Sequence, residues 1–537
     1  MRYFLRPDPR VLLVMITLLA PFSFANAQSE VVMKRIVENA RQENQVMEHL
    51  DVLCNRFGGR LIGSDAYENA SEWAAYKFDQ WGMEVRMDET GAIPVGFNRG
   101  PWFGRMLGGE AMQLHFATPS YTAGTKGVQR GHVLIAPRTQ SEFDRVSGKL
   151  KGAWVLIDGQ NDGFPIDISP EADSLRDSLK LVNAEIAEKN MVKRREYWGK
   201  HRRDAPKEVL LPYCDEPAVY YREMVEAGVL GFIQSSKVPI RALADRKNVW
   251  NWTFETLPTV PDIKLDEHQY ATIYRMLEER HYFQLEFDIR NHFKMGPVKY
   301  HNVIGIIPGT EFPDEYVIMS GHLDAYDVAT GGVDDGSGVT PVMEAARLIM
   351  EAGGKPKRTI LAILWAGEEF GLLGSSSWVK RNPEKLDRIS NMVNKDGGPE
   401  APVALSVSPA MMADFEPIVE VISTINPDFP LELKERKPRV KPEKAWGTDS
   451  GPFAVKGIPT IGFEEGDPKG YNFDYFEIWH TERDTYNKSI PEYMEQSAAA
   501  MAVLVYGLAD LDHKLDREGY YVEKSEEPSK DRKKKRK

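Results

Sequence analysis

The sequence predicts an α/β fold: a mixed, largely parallel, doubly wound sheet flanked by helices, with a β-rich domain inserted into it. Three observations carry this prediction. Apolar runs recur at 301–307, 316–320, 359–365, 389–393 and 458–463, with helix-like stretches between several of them. The run 359–365 is apolar almost throughout, as in a strand buried on both faces. The texture changes to Gly, Thr and Ser around 121–130, after which a separate set of strand patterns begins. The expected organisation is a leader over 1–27, a main domain split between 28–125 and 290–515, an insert over 126–289, and a charged tail over 516–537.

The chain has 537 residues, more than one ordinary core of about 150 residues holds. With 42% hydrophobic and 28% charged residues it reads as a globular protein. A formal charge of -12 excludes general nucleic-acid binding, which needs a basic surface to neutralise phosphates. Arg2, Arg6 and Arg10 precede an apolar run at 11–19, and Ala25-Asn26-Ala27 has the small-residue form of a cleavage site. The run is too short to span a bilayer, so a cleaved signal peptide is expected, with a secreted or periplasmic product and no membrane span in the mature chain. Cys54 and Cys214 are the only cysteines, which permits one disulfide without requiring it.

Along the chain, 31–53 has helical periodicity, and Ser64 stands as the N-cap of a second helix reaching Trp81. Ala70, Trp73, Ala74, Phe78 and Trp81 share one face of that helix. Residues 83–87 alternate as a strand. Within the insert, strands are expected at 132–136, 153–157 and 230–233, with a helix at 219–227. The mixed charges of 189–207 suit a solvated helix or loop. In the main domain, 316–320 runs into GHLDAYDVATGGVDD, and glycines 336 and 338 lead into a helix over 341–350. Ser489 and Glu492 have the spacing of a capping box opening a long apolar helix through Tyr506. The tail ends in DRKKKRK and is expected to be solvated.

The chemistry collects at the ends of these apolar runs. His322, Asp324 and Asp334 follow one, Glu368 and Glu369 the next, Asp396 a third, and His480 follows 475–479. In open α/β sheets ligands bind beyond the carboxyl ends of strands. So many carboxylates in one cleft would repel one another, and bound divalent cations remove that repulsion. Zinc accepts both imidazole nitrogen and carboxylate oxygen.

The segments NVIGIIPG, SGHLDAYDVATGGVDDGSG, ILWAGEEFGLLGS, NKDGG, GTDSGPF and WHTERDT together resemble metallopeptidase family twenty-eight, the co-catalytic zinc exopeptidases, and its carboxypeptidase Q branch above all. The insert resembles a protease-associated domain. The resemblance implies the zinc exopeptidase fold, two zinc ions and a peptide or dipeptide substrate. Asp334 would bridge the two ions, with His322 and Asp396 completing one site and Glu369 and His480 the other. Glu368 would be the general base, and Asp324 would hold His322. Asp449 would organise the surroundings or meet a substrate amine. Trp479 stands where relatives place a Tyr or His that assists the oxyanion, and Lys395 beside Asp396 is a second departure. Aminopeptidase or dipeptidase action is favoured, with a homodimer as a family expectation. The alternatives are a carboxypeptidase, a glutaminyl-cyclase-like acyltransferase, and a non-catalytic, receptor-like binding protein.

Overall fold

The computed structural model describes residues 29–108, 111–214 and 218–524. The segment 1–27, where a signal peptide is expected, and the basic end of the tail lie outside the described residues.

The main sheet has six strands: β1 (Glu84–Ile93), β2 (Val298–Ile307), β3 (Phe312–His322), β4 (Arg358–Trp365), β5 (Ile389–Asn394) and β6 (Thr460–Ile461), in the order β1-β2-β4-β3-β5-β6. β1 to β2 and β2 to β4 are antiparallel, whereas β4, β3, β5 and β6 run parallel. All eight residues of β4 are buried, which its apolar sequence anticipates. The sheet is therefore mixed α/β, as expected. The chain leaves β3 to one side for β4 and then crosses to the other side for β5, which opens a crevice at the carboxyl ends of these three strands.

Three helices pack on this sheet: α1 (Asp65–Gln80), α2 (Gly336–Glu351) and α3 (Pro491–Ala509). Ser64 caps α1, its hydroxyl accepting the Tyr67 amide at 3.0 Å, and Ala70, Ala74 and Phe78 are fully buried on the face the periodicity marks. α2 begins five residues before the predicted 341, because its first turn is formed by the Gly-Ser-Gly run. At Gly338 a Cβ would stand 2.4 Å from the Lys395 carbonyl, so only glycine lets helix and loop approach this closely. α3 is buried almost along its whole length and packs on α2.

Two local expectations need correction and a third is met. The segment 31–53 is not one helix: a break at 43–45 separates 29–42 from Val46–Asp51, which continues as a π-helical turn over Val52–Phe57. The capping box at Ser489 does not form. The Ser489 hydroxyl donates instead to the Gly332 carbonyl at 2.9 Å, Ile490 is the N-cap, and Pro491 at the first helical position has no amide to satisfy. Residues 189–207 belong mostly to a 32-residue helix, Pro170–His201.

A second sheet of eight strands takes in Trp102–Leu107, Gln129–Ile135, Ala153–Gln160, Gly231–Ser236, Asp262–Asp266 and Gln284–Ile289. Four central strands are parallel, from Gln129–Ile135 to Asp262–Asp266, and a buried cluster around Trp154, Ile233, Leu285 and Phe287 forms its own core. The connection after Gly231–Ser236 returns to the crevice, where Arg241 bridges to Thr481 and the Glu482 amide donates to the Ile240 carbonyl at 2.9 Å. No helix among the described residues is long and apolar enough to cross a membrane.

Candidate metal centre

Strand register sets the height of the site residues. His322 lies opposite Trp365, and Ser320 opposite Asn394, so β3, β4 and β5 end almost level. The residues just beyond those ends therefore share one crevice. Asp334 comes from the loop between β3 and α2. His480 comes from none of the strands: it follows a helical turn at Tyr475–Ile478 and takes a left-handed φ of 60°. That conformation is rare for a residue with a Cβ and turns the imidazole inward against its neighbours.

Two groups of metal-type donors result, one of His322, Asp334 and Asp396, the other of Asp334, Glu369 and His480, each with its donor atoms within 4.8 Å of one another. Asp334 belongs to both. Its Oδ1 lies 3.2 Å from His322 Nε2, and its Oδ2 lies 3.2 Å from His480 Nε2. His322 Nε2 is 3.7 Å from Asp396 Oδ1, and His480 Nε2 is 3.1 Å from Glu369 Oε2.

The surroundings fit a bound cation. His322 Nε2, Asp334 Oδ2 and Glu369 Oε1 are buried with no hydrogen-bond partner, a costly state for polar atoms unless something is coordinated there. Burial and the neighbouring Glu369 and Asp449 carboxylates push the Glu368 carboxyl up to about 10 against the pull of His322. Burial works against charge on His480, but Glu369 and Asp334 outweigh it and hold the imidazole up at about 9. Protons are thus held where divalent cations would balance the charge. Imidazole nitrogen with carboxylate oxygen is a donor set that zinc accepts.

Residues 302–505 match the family model described as peptidase family M28. The chain thus carries a peptidase family M28 domain, and this stretch holds His322, Asp334, Glu369, Asp396 and His480. Carboxypeptidase Q of Xenopus laevis is 28% identical over 320 residues, covering 56% of this chain and 64% of that protein. Carboxypeptidase Q of Rattus norvegicus is 31% identical over 231 residues, 42% of this chain and 46% of that protein. The matches thus span about half to two thirds of the length of these relatives. A solved peptidase M28 precursor from Shewanella amazonensis shares the fold, with a TM-score of 0.55 at 20% identity over 91% of this chain and 98% of that one.

The remaining residues of this site divide by what they touch. Asp324 accepts the amides of Glu368 and Glu369, both at 3.1 Å, and so shapes the turn that carries them. Its expected partner, the His322 ring, takes a different acceptor: Nδ1 lies 2.8 Å from the Asp324 carbonyl oxygen and 3.7 Å from the carboxylate. The two main-chain amides, one on each oxygen, hold the carboxylate on the Glu368–Glu369 turn rather than on the ring. The separation of Glu368 from Glu369 likewise arises in a tight turn, closed by the Gly371 amide on the Glu368 carbonyl at 2.7 Å, rather than along an extended strand.

Asp449 is fully buried beside the cluster, and burial, with Asp324 and Asp396 adding to it against His322, pushes its carboxyl up to about 8. Trp479 lies against His480 with ring centroids 4.2 Å apart. Lys395 points away from Asp396, donating to the Gly398 carbonyl at 3.1 Å and to the Glu465 carboxylate.

Several residues escape sequence reasoning. Asp335 accepts the His322 amide at 3.0 Å. The fully buried Arg60 donates to the carbonyls of Leu323 at 2.9 Å, Thr330 at 2.8 Å and Gly331 at 3.1 Å, which fixes both ends of the loop before Asp334. The Tyr475 phenol faces the carboxylates of Asp334, Asp396 and Asp335, and burial together with these charges keeps it un-ionised. Only Asp335 carries a local signal, the acidic pair it forms with Asp334.

Proposed function

We propose that this chain is a secreted or periplasmic two-zinc exopeptidase that hydrolyses peptide bonds at a peptide terminus or in dipeptides. The observation that carries the reading is the shared Asp334, which offers one carboxylate oxygen to each histidine. A carboxylate so placed suits two cations side by side. His322 and Asp396 would complete one zinc site, Glu369 and His480 the other. When bound, zinc supplies Lewis acidity toward a carbonyl oxygen and toward water.

The chain's own groups do the rest. Glu368, half-buried on its turn, is free of ligand duty; ionised once cations replace the protons held in the cluster, it takes the proton from the attacking water, then returns it to the leaving nitrogen. Tyr475 donates its hydroxyl proton in a hydrogen bond to the scissile carbonyl oxygen as negative charge develops there. This assigns to Tyr475 the contact that Trp479 cannot make by proton transfer. Asp324 keeps Glu368 and Glu369 in register, and Asp449 stands buried behind them. In this reading 28–125 and 290–515 form the catalytic domain, except that Trp102–Leu107 pairs into the second sheet, and the 126–289 insert, protease-associated in type, walls the crevice.

The test is direct. Mature protein loaded with zinc should bind two equivalents per chain and cleave single residues from peptides or split dipeptides, read by mass spectrometry. Glu368→Gln should keep both equivalents and lose about 100-fold to 10,000-fold in kcat. Full activity in that variant, folded and loaded, would overturn the assignment of the base.

A further inference from the structure

The carboxylate-rich crevice receives one accessible cation from outside the main domain. The strap 240–251, which follows a strand of the second sheet, is pinned where the Leu243 amide donates to Gly163 at 2.8 Å and the Leu243 carbonyl accepts the Ser120 amide at 3.0 Å. Asp245 then closes a tight turn by accepting the Asn248 amide at 2.9 Å and the Asn248 side-chain amide at 2.7 Å. This turn aims Arg246 at the candidate metal centre. Its Nε donates to the Tyr326 hydroxyl at 3.2 Å, and its Nη2 comes to 3.8 Å from Glu369 Oε2. Tyr326 in turn packs edge-on against His480, ring centroids 4.6 Å apart.

Among the described residues, the other cations near the cluster are turned to other groups. Arg60 is buried and spent on main-chain carbonyls, and Lys395 is held by Glu465. Arg241, on the same strap, lies over the Trp479 ring at 4.8 Å. Arg246 keeps a side chain 44% exposed, held at Nε while its terminal amino groups face the crevice. A guanidinium anchored at one edge and open at the other is suited to a carboxylate.

We propose that Arg246 is a specificity residue that binds a free substrate carboxylate one residue beyond the scissile bond, making dipeptides and peptides cut at a free carboxyl end the preferred substrates. The proposal rests on the peptidase reading above. The scale is right: the terminal carboxyl carbon of such a substrate is three bonds from the scissile carbonyl carbon, under about 4 Å away. Arg246 stands one contact from Glu369, which itself touches His480. An acidic side chain offers the same chemistry from a second source, so the test separates the two.

The zinc-loaded full chain, wild type and Arg246→Ala, is assayed on Ala-Phe, its C-terminal amide, and Ala-Asp amide, with Arg246→Lys as the conservative variant. Wild type should prefer the free acid over both amides. Arg246→Ala should lower the ratio of kcat/KM for acid over amide by about 10- to 100-fold, mainly through KM, with partial recovery in Arg246→Lys. An equal loss on acid and amide would make Arg246 a structural prop for Tyr326 and overturn the proposal, as would a ratio that does not move. A preference for Ala-Asp amide over Ala-Phe would assign the arginine to an acidic side chain instead and overturn the stated source.

Calorimetric binding of an Ala-Phe analogue with a reduced peptide bond, as acid and as amide, reads recognition without turnover. Acid-selective binding lost in Arg246→Ala, with no peptide cut by wild type, would sustain the carboxylate site and defeat the peptidase reading. No acid-selective binding in wild type would defeat the carboxylate site.

Discussion

The Asp484 carboxylate accepts the main-chain amide of Val333 at 2.6 Å, one residue before Asp334. Its second oxygen lies 3.3 Å from the Asp334 amide itself, so a carboxylate four residues after His480 fixes the backbone that presents the shared ligand. Burial, with the charge of Asp334 adding to it, pushes the Asp484 carboxyl up to about 8. Groups that orient metal ligands typically govern affinity by about 10- to 100-fold. Asp484→Ala is therefore expected to weaken zinc binding by that factor while the fold persists. Competition with a chromogenic chelator measures it, and circular dichroism checks the fold.

Tyr475→Phe separates the oxyanion contact from binding. The phenyl ring keeps the stacking on Trp479, where ring centroids are 6.5 Å apart, and loses only the hydroxyl. A donor used mainly in the transition state should cost about 100-fold in kcat with KM and zinc stoichiometry little changed. A rise in KM alone would make Tyr475 a substrate-binding residue rather than a donor to the developing charge.

The ligand-bearing stretches were legible because each is short, local and tied to a strand end: His322, Glu368, Glu369 and Asp396 sit within four residues of β3, β4 or β5. Their supports were not. Arg60 and Asp484 reach the loop around Asp334 from distant parts of the chain, and a single buried arginine or aspartate leaves no periodic trace. The Ser489 capping box failed for a related reason, since its hydroxyl is recruited by Gly332 across the tertiary fold. Arg246 lay hidden in a stretch whose charge pattern resembles ordinary surface, and only the return of the strap to the crevice gives it meaning.

The two cysteines should differ sharply in reactivity. Both are free thiols in the structure, Cys54 buried and Cys214 half-buried. Burial pushes the Cys54 thiol up to about 11, against a weaker pull from Arg60, so it stays protonated near pH 8. Titration of native protein with a chromogenic disulfide reagent at pH 8 should release one equivalent from Cys214, and the second only after unfolding. Cys214→Ser should then leave the native protein silent to the reagent.

His115 couples the second sheet to the segment after His480. Its Nε2 lies 2.7 Å from Glu482 Oε2 and its Nδ1 3.2 Å from Asp266 Oδ2, so the ring makes both contacts as a donor only when doubly protonated. Partial burial works against that charge, but the Glu482 and Asp266 carboxylates prevail and raise the histidine above its usual value. A group with a raised folded-state pKa adds stability that is complete below its unfolded value, about 6.5, and fades as pH climbs through the folded value. His115→Gln should therefore lower the urea midpoint more at pH 5.5 than at pH 8.5. An equal deficit at both values would mean that the imidazole acts through packing rather than through its charge.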